Sequence, residues 1–246
     1  MADKKSEDLE YRCGFVALLG RPNVGKSSLI NTLLKEKVAA VSSKPQTTRN
    51  AIRCILTTEK EQIIFVDTPG IHKPKNVLGD YMVNEAGKAL AQVDLICFVV
   101  EAGDSRIGEE EELIIEILSK CGLPIVLAVN KVDKLSDPGF FWKTVEMYET
   151  RIMPAAVVPI SAKKGTNMDV FIDTLSGMLP VQPPIYPADM LMDTTERFLA
   201  AEVIREKILT FTDQEVPHGT AVVVEEFKSP EEYPELKTCE IRATIV

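Results

Sequence analysis

The octapeptide Gly20-Arg21-Pro22-Asn23-Val24-Gly25-Lys26-Ser27 fits the pattern G-x-x-x-x-G-K-[ST] at every fixed position, and nothing else in the chain restricts the possible folds as much. Residues 15–19 before it form an apolar run of strand length, and residues 28–34 after it are apolar at helical spacing. The glycines let the backbone turn tightly and gather N–H groups around a polyphosphate, while the helix N-terminus adds partial positive charge. Gly20, Asn23, Val24, Gly25, Lys26, Ser27 and Ser28 are therefore the candidate phosphate cradle. In it Lys26 would reach the β and γ phosphates, and the Ser27 hydroxyl would ligate Mg²⁺. The competing reading is a plain strand–turn–helix corner, which the flanking pattern disfavours. The loop points to a nucleoside triphosphate and leaves the base open.

The following residues supply a sheet for this loop. Residues 51–57 and 62–66 are strand-like, and the short charged link Glu59-Lys60-Glu61 makes them an antiparallel hairpin. Residues 81–91 read as a helix. Leu95-Ile96-Cys97-Phe98-Val99-Val100 is continuously apolar, the pattern of a strand buried on both faces of a parallel sheet. Residues 109–121 read as a helix with four glutamates in its first turn, where the macrodipole favours them. Its apolar stripe is Leu113, Ile114, Ile117 and Leu118, and Gly122 caps it. The glutamates are read as a solvated helix end rather than a metal site. A buried strand at 124–129, a helix at 140–152, a short strand at 157–160 and a helix at 167–179 capped by Asn167 follow. The order βαββαβαβαβα predicts an α/β fold: a doubly wound, mostly parallel six-stranded sheet with one antiparallel neighbour pair. Ligands in such sheets collect at the carboxyl ends of the strands, and every polar motif of this chain falls just after one.

Asp67-Thr68-Pro69-Gly70 ends the third strand. A carboxylate there can hold Mg²⁺, and the Gly70 N–H can contact a γ-phosphate, so that the loop relaxes when the phosphate leaves. Asn130-Lys131-Val132-Asp133 is the candidate base reader. The Asp133 carboxylate can accept from the guanine N1–H and exocyclic amine, a pair that adenine does not offer. The mismatch would cost roughly 1–3 kcal/mol or more. The Lys131 stem can pack on the base plane, and Asn130 can tie this loop to the cradle. Ser161-Ala162-Lys163 supports the guanine reading, because the Ala162 N–H could donate to the guanine carbonyl. Thr47 and Thr48 lie in a polar loop at 42–50, where one hydroxyl could complete Mg²⁺ coordination; Thr48, next to Arg49, is favoured. Lys26, Thr48 and Gly70 are the residues expected to act on the γ-phosphate, and Ser27, Thr48 and Asp67 those expected to hold the metal.

Past the fifth helix of this order the character of the chain changes. Residues 180–187 contain four prolines and read as a semi-rigid linker. Residues 195–211 read as an amphipathic helix with Phe198, Leu199, Val203, Ile204 and Ile208 on one face, and 220–227 and 239–246 are strand-like. The expected division is a flexible tail at 1–12, a nucleotide-binding domain at 13–180, the linker at 181–193 and a partial α+β segment at 194–246. The last apolar run stops at Val246 without a turn or cap, which leads us to expect a truncated chain. Net charge is −9, which argues against general affinity for nucleic acid or anionic membrane. Cys13, Cys54, Cys97, Cys121 and Cys239 are scattered without a C-x-x-C pair, so neither a disulfide framework nor a zinc site is expected and a reducing cytoplasm is the default.

The five ordered motifs resemble those of the translation-factor-related GTPases, and within them the bacterial Era family. The signs are Gly-Arg-Pro-Asn-Val-Gly-Lys-Ser, Pro45-Gln46-Thr47-Thr48-Arg49, Asp67-Thr68-Pro69-Gly70-Ile71-His72-Lys73-Pro74 and the stretch 211–219. The resemblance covers nearly the whole chain. It implies a GTP/GDP- and Mg²⁺-dependent GTPase domain followed by an RNA-binding KH domain. It also implies a role in small ribosomal subunit assembly through ribosomal RNA, and partial association with the inner membrane. We expect a monomer. Two features depart from the pattern: residues 181–246 contain no G-x-x-G, the loop with which KH domains clamp nucleic-acid backbone, and they carry six Lys+Arg against thirteen Asp+Glu. Only the opening helix and two strands of a KH domain are expected here. In Ras-like enzymes a glutamine after the D-x-x-G motif orients the attacking water; here Ile71 stands there, so slow intrinsic hydrolysis is expected. Two other functions remain open at this point: an ATP-using P-loop protein, and an RNA-assembly module in which the nucleotide only holds shape.

Overall fold

A computed structural model describes residues 10–39, 52–67, 92–212 and 220–246. The strands β1 (Arg12–Leu19), β2 (Ile52–Thr57), β3 (Glu61–Asp67), β4 (Leu95–Glu101), β5 (Ile125–Asn130) and β6 (Ala156–Pro159) form one sheet in the order β2-β3-β1-β4-β5-β6. All neighbours are parallel except β2 and β3, the expected hairpin. The helices are α1 (Lys26–Leu34), α2 (Glu109–Cys121), α3 (Gly139–Ile152), α4 (Met168–Ser176) and α5 (Glu196–Phe211). The helix read at 81–91 lies outside the described residues.

The central strands are apolar throughout because both their faces are covered. Successive residues point to opposite sides. Cys97, Val99, Val126 and Ala128 therefore join one core with Leu29, Ile30 and Leu33 of α1 and Phe171 and Leu175 of α4. Their neighbours Ile96, Phe98, Leu127 and Val129 join a second core with Ile114, Ile115 and Leu118 of α2 and Val145 and Tyr148 of α3. Phe98 and Tyr148 meet edge to face at 5.5 Å. This double winding leaves the carboxyl ends of β1, β3, β4 and β5 side by side, and the loops leaving them form the site.

Two local expectations need correction. Asn167 does not cap α4 with its side chain; it sits at φ 59° and its amide donates to the Pro159 carbonyl at 2.8 Å, tying the helix start to the end of β6. In α5 the apolar residues Phe198, Leu199, Val203, Ile204 and Ile208 are only half-buried. The most buried positions are Glu202, Arg205, Glu206 and Leu209. Glu202 pairs with Arg205 along the helix, and Glu206 accepts from Lys37, just past α1, at 2.7 Å. The helix lies between β7 (Val222–Lys228) on one side and the nucleotide-binding domain on another, so its burial follows two neighbours rather than one apolar stripe.

The proline-rich stretch is fastened to the sheet. Gln62, wholly buried on β3, accepts from the Ile185 and Tyr186 amides at 2.8 and 2.9 Å and donates to the Tyr186 carbonyl at 2.9 Å. Farther on, Ile55 donates to Leu191 and Asp193 to Arg53, so the stretch covers the open edge of β2. Beyond it α5 packs against β7, which pairs antiparallel with β8 (Glu240–Ile245).

Candidate functional site

The turn between β1 and α1 is shaped by two close approaches. A Cβ on Gly20 would lie 2.5 Å from the Val99 carbonyl oxygen, and one on Gly25, at φ 107°, would lie 2.4 Å from the Asn130 amide nitrogen. Only glycine permits this backbone. Val24 contributes through its main chain: its side chain is in the core and its carbonyl accepts from the Asn130 amide at 2.7 Å. Ser28 lies half-buried in the first turn of α1. Lys26 is 7% exposed and donates to the Gly20 and Arg21 carbonyls at 2.8 and 3.1 Å. Burial brings its ammonium down to about 8, against the opposing pull of Asp67. A polyphosphate offers the same ammonium a charged partner, which would restore its proton affinity.

The Ser27 hydroxyl donates to a carboxylate oxygen of Asp67 at 3.3 Å, and Asp67 is fully buried at the end of β3. A hydroxyl and a carboxylate beside a phosphate cradle form an all-oxygen donor set, which fits a hard cation such as Mg²⁺. Thr47, Thr48, Gly70 and Ile71 lie outside the described residues, and so do the whole loops at 43–50 and 70–80.

Asn130 joins the cradle to both base-reading loops. Its amide holds the Val24 carbonyl, and its side-chain oxygen accepts from the Lys131 amide at 2.8 Å and the Ala162 amide at 2.9 Å. The Ala162 N–H, expected to be available for a guanine carbonyl, is thus engaged within the protein; the exposed Lys163 follows it in the same turn. The Ser161 hydroxyl donates to Asp133 at 2.5 Å and holds its carboxyl below the usual range. Asp133 is exposed, which leaves its second carboxylate oxygen open to a ligand of the kind the sequence reading expects. Lys131 has φ 66° and reaches the Asn23 carbonyl at 2.8 Å. Thr32 of α1 donates to the Ala162 carbonyl at 2.6 Å, a brace the sequence did not announce.

A group of charges around the site also escaped the sequence reading. Arg21 meets Glu101 at 3.3 Å, Asp104 at 2.9 Å and Glu111 at 2.7 Å. Glu101 in turn meets Lys131 at 2.5 Å and Lys134 at 3.3 Å. Burial would raise the Glu101 carboxyl, but the Lys131 and Lys134 ammoniums outweigh it and hold it below the usual range. Glu111, one of the four glutamates read as a solvated helix end, is buried; its other carboxylate oxygen accepts from the Gly108 amide at 3.1 Å. The only linear signal was an arginine at a variable position of the phosphate loop.

Comparisons with known proteins agree with this geometry. Residues 15–131 match a family model described as 50S ribosome-binding GTPase. A curated relative, GTPase Era of Clostridioides difficile (strain 630), is 47% identical over 219 residues, which are 89% of this chain and 73% of that protein. Among solved structures, a single-residue variant of Aquifex aeolicus Era bound to GDP and AlF4⁻ superposes with a TM-score of 0.87 at 36% identity, covering 95% of this chain and 78% of that one. Era in complex with MgGDPNP and nucleotides 1506–1542 of 16S ribosomal RNA superposes with a TM-score of 0.87 at 37% identity, covering 96% and 78%. With cradle, carboxylate and base-reading loops assembled at one edge of the sheet, this chain belongs to the Era family of GTPases.

Proposed function

We propose that this GTPase is a GTP-driven switch in small ribosomal subunit assembly, with ribosomal RNA as its partner. The observation that carries the nucleotide half is Asn130, which fastens the phosphate cradle and the guanine-reading loops to one another. The RNA half rests on the likeness to the Era solved with a 16S ribosomal RNA segment. Lys26 exchanges its two carbonyl partners for phosphate oxygens, and the backbone N–H groups of residues 23–28 take up charge that develops as water attacks the γ-phosphate in line. Mg²⁺, when bound by Ser27 and Asp67 with Thr48 as the third protein ligand, supplies charge neutralisation. Asp133 accepts from the guanine edge, and the Lys131 stem lies along its plane. An isoleucine at position 71 has no polar group with which to orient the water, so the intrinsic rate is slow and is raised by a partner or by another residue of the chain.

Release of the γ-phosphate frees the loops at 43–50 and 70–80 and alters the surface presented to residues 194–246 and to the ribosome. The protein acts as a monomer in the cytoplasm, a reading supported by its scattered cysteines, and associates in part with the inner membrane, which rests on the family resemblance alone. Thermal melting with GDP and ADP tests the base assignment. At 100 times its Kd, GDP adds about 2.7 kcal/mol of stability, while ADP should leave the midpoint unmoved. Equal protection by ADP overturns the guanine reading. Single-turnover GTP cleavage with Lys26→Ala as the control tests hydrolysis, and phosphate release no faster than the control would leave a binding module without catalysis.

A further inference from the structure

We propose that Glu101 is a positioning residue that sets how long a guanine nucleotide stays bound, by holding Lys131 of the base-reading loop and Arg21 of the phosphate loop on one carboxylate. This rests on the guanine-nucleotide reading above. Glu101 ends β4 directly across from Asn130 on β5, and the Ala102 amide donates to the Asn130 carbonyl at 2.7 Å, so the carboxylate is presented from the rigid centre of the sheet. Lys131 needs such an anchor. It is a non-glycine residue held at φ 66°, a conformation that persists only where surrounding contacts over-determine it. Those contacts are its own amide on Asn130, its ammonium on the Asn23 carbonyl, and its ammonium on Glu101. Without Glu101 one of the two ammonium anchors is gone, and the stem is freer to leave the base plane.

The phosphate side is held in the same way. Arg21 carries one of the two carbonyls that receive Lys26, and its guanidinium is fixed by Glu101 together with Asp104 and Glu111. Three cations thus face three carboxylates, and Glu101 is the carboxylate shared between the two loops. Its side chain is 21% exposed, so solvent screens these pairs only in part, and the carboxylate fixes geometry on both sides of the nucleotide. The expected signature is therefore faster release rather than slower capture.

The test is dissociation of a fluorescent GDP chased by excess GDP, with association measured alongside and the melting midpoint taken without nucleotide. Glu101→Gln should release GDP about tenfold faster with association changed less than about twofold. Its nucleotide-free midpoint should stay within about 2 °C of wild type. Glu101→Asp, which keeps the charge on a shorter arm, should fall between, and Arg21→Gln combined with Glu101→Gln should release GDP more slowly than the product of the single effects predicts. Glu116→Gln, which removes an exposed pair with Lys120 elsewhere on α2, should match wild type throughout. Release from both Glu101 variants within about twofold of wild type overturns the inference, and so does faster release that only tracks a fall in the nucleotide-free midpoint. A wild-type protein that retains no GDP would sink the guanine reading itself and this inference with it.

Discussion

The nucleotide-binding domain and the segment after residue 194 are built to different standards of burial. In the first, two apolar cores sandwich the sheet, and β4 and β5 present hardly an exposed atom. In the second, Leu209 is the one apolar side chain fully withdrawn from water among the described residues. Phe211 is 81% exposed, Ile245 60% and Val223 52%. The difference teaches that, where apolar packing is thin, polar ties fasten the described part of the second unit to the first, Lys37 on Glu206 and the strap that Gln62 holds. Among the described residues, the candidate nucleotide site lies on the first unit, with its side chains held at the ends of buried strands.

Amide exchange offers the largest test of this contrast. Protons of β4 and β5 should exchange about 1,000-fold more slowly than those of β7 and β8, a gap of ~4 kcal/mol in opening free energy; equal protection would break the comparison. Next comes the core. Leu127→Ala should cost about 3 kcal/mol in denaturant unfolding, whereas Ile241→Ala on the exposed sheet should cost less than about 0.5 kcal/mol. Asp133→Asn removes the acceptor for two guanine donors and should weaken GDP about 100-fold, or ~2.7 kcal/mol, by fluorescence titration. Truncating residues 194–246 should leave that affinity within about twofold, since none of the proposed cradle or base-reading residues lies there. Gln62→Ala should cost about 2 kcal/mol, because it leaves the Ile185 and Tyr186 amides without their buried acceptor, and should speed proteolysis within 183–192.

Much of the first region was legible before any coordinates. The octapeptide, the continuous apolar strands and the position of each polar motif just after a strand were enough for the sheet, its antiparallel hairpin and the location of the site. Those signals are local: periodicity, turn chemistry and glycine placement act over a few residues. The second region read poorly for the same reason. The apolar face drawn on α5 assumed one buried side, yet the helix has neighbours on two, and its charged stripe is the more buried. The proline-rich stretch looked like a spacer because composition reports stiffness and says nothing of what a segment lies on.

The amino-acid order by itself determined which side chains could serve: a lysine and serine for phosphate and metal, an aspartate for the base, glycines where no Cβ fits. Only the tertiary structure decided how they are held. Asn130 serves three loops, Ser161 orients Asp133, and Glu101 ties Arg21 to Lys131 across 80 and 30 residues of chain. Such pairings depend on sheet order and register, which bring strand ends together regardless of their distance in sequence. No short-range pattern encodes a contact whose partners meet only once the sheet has closed.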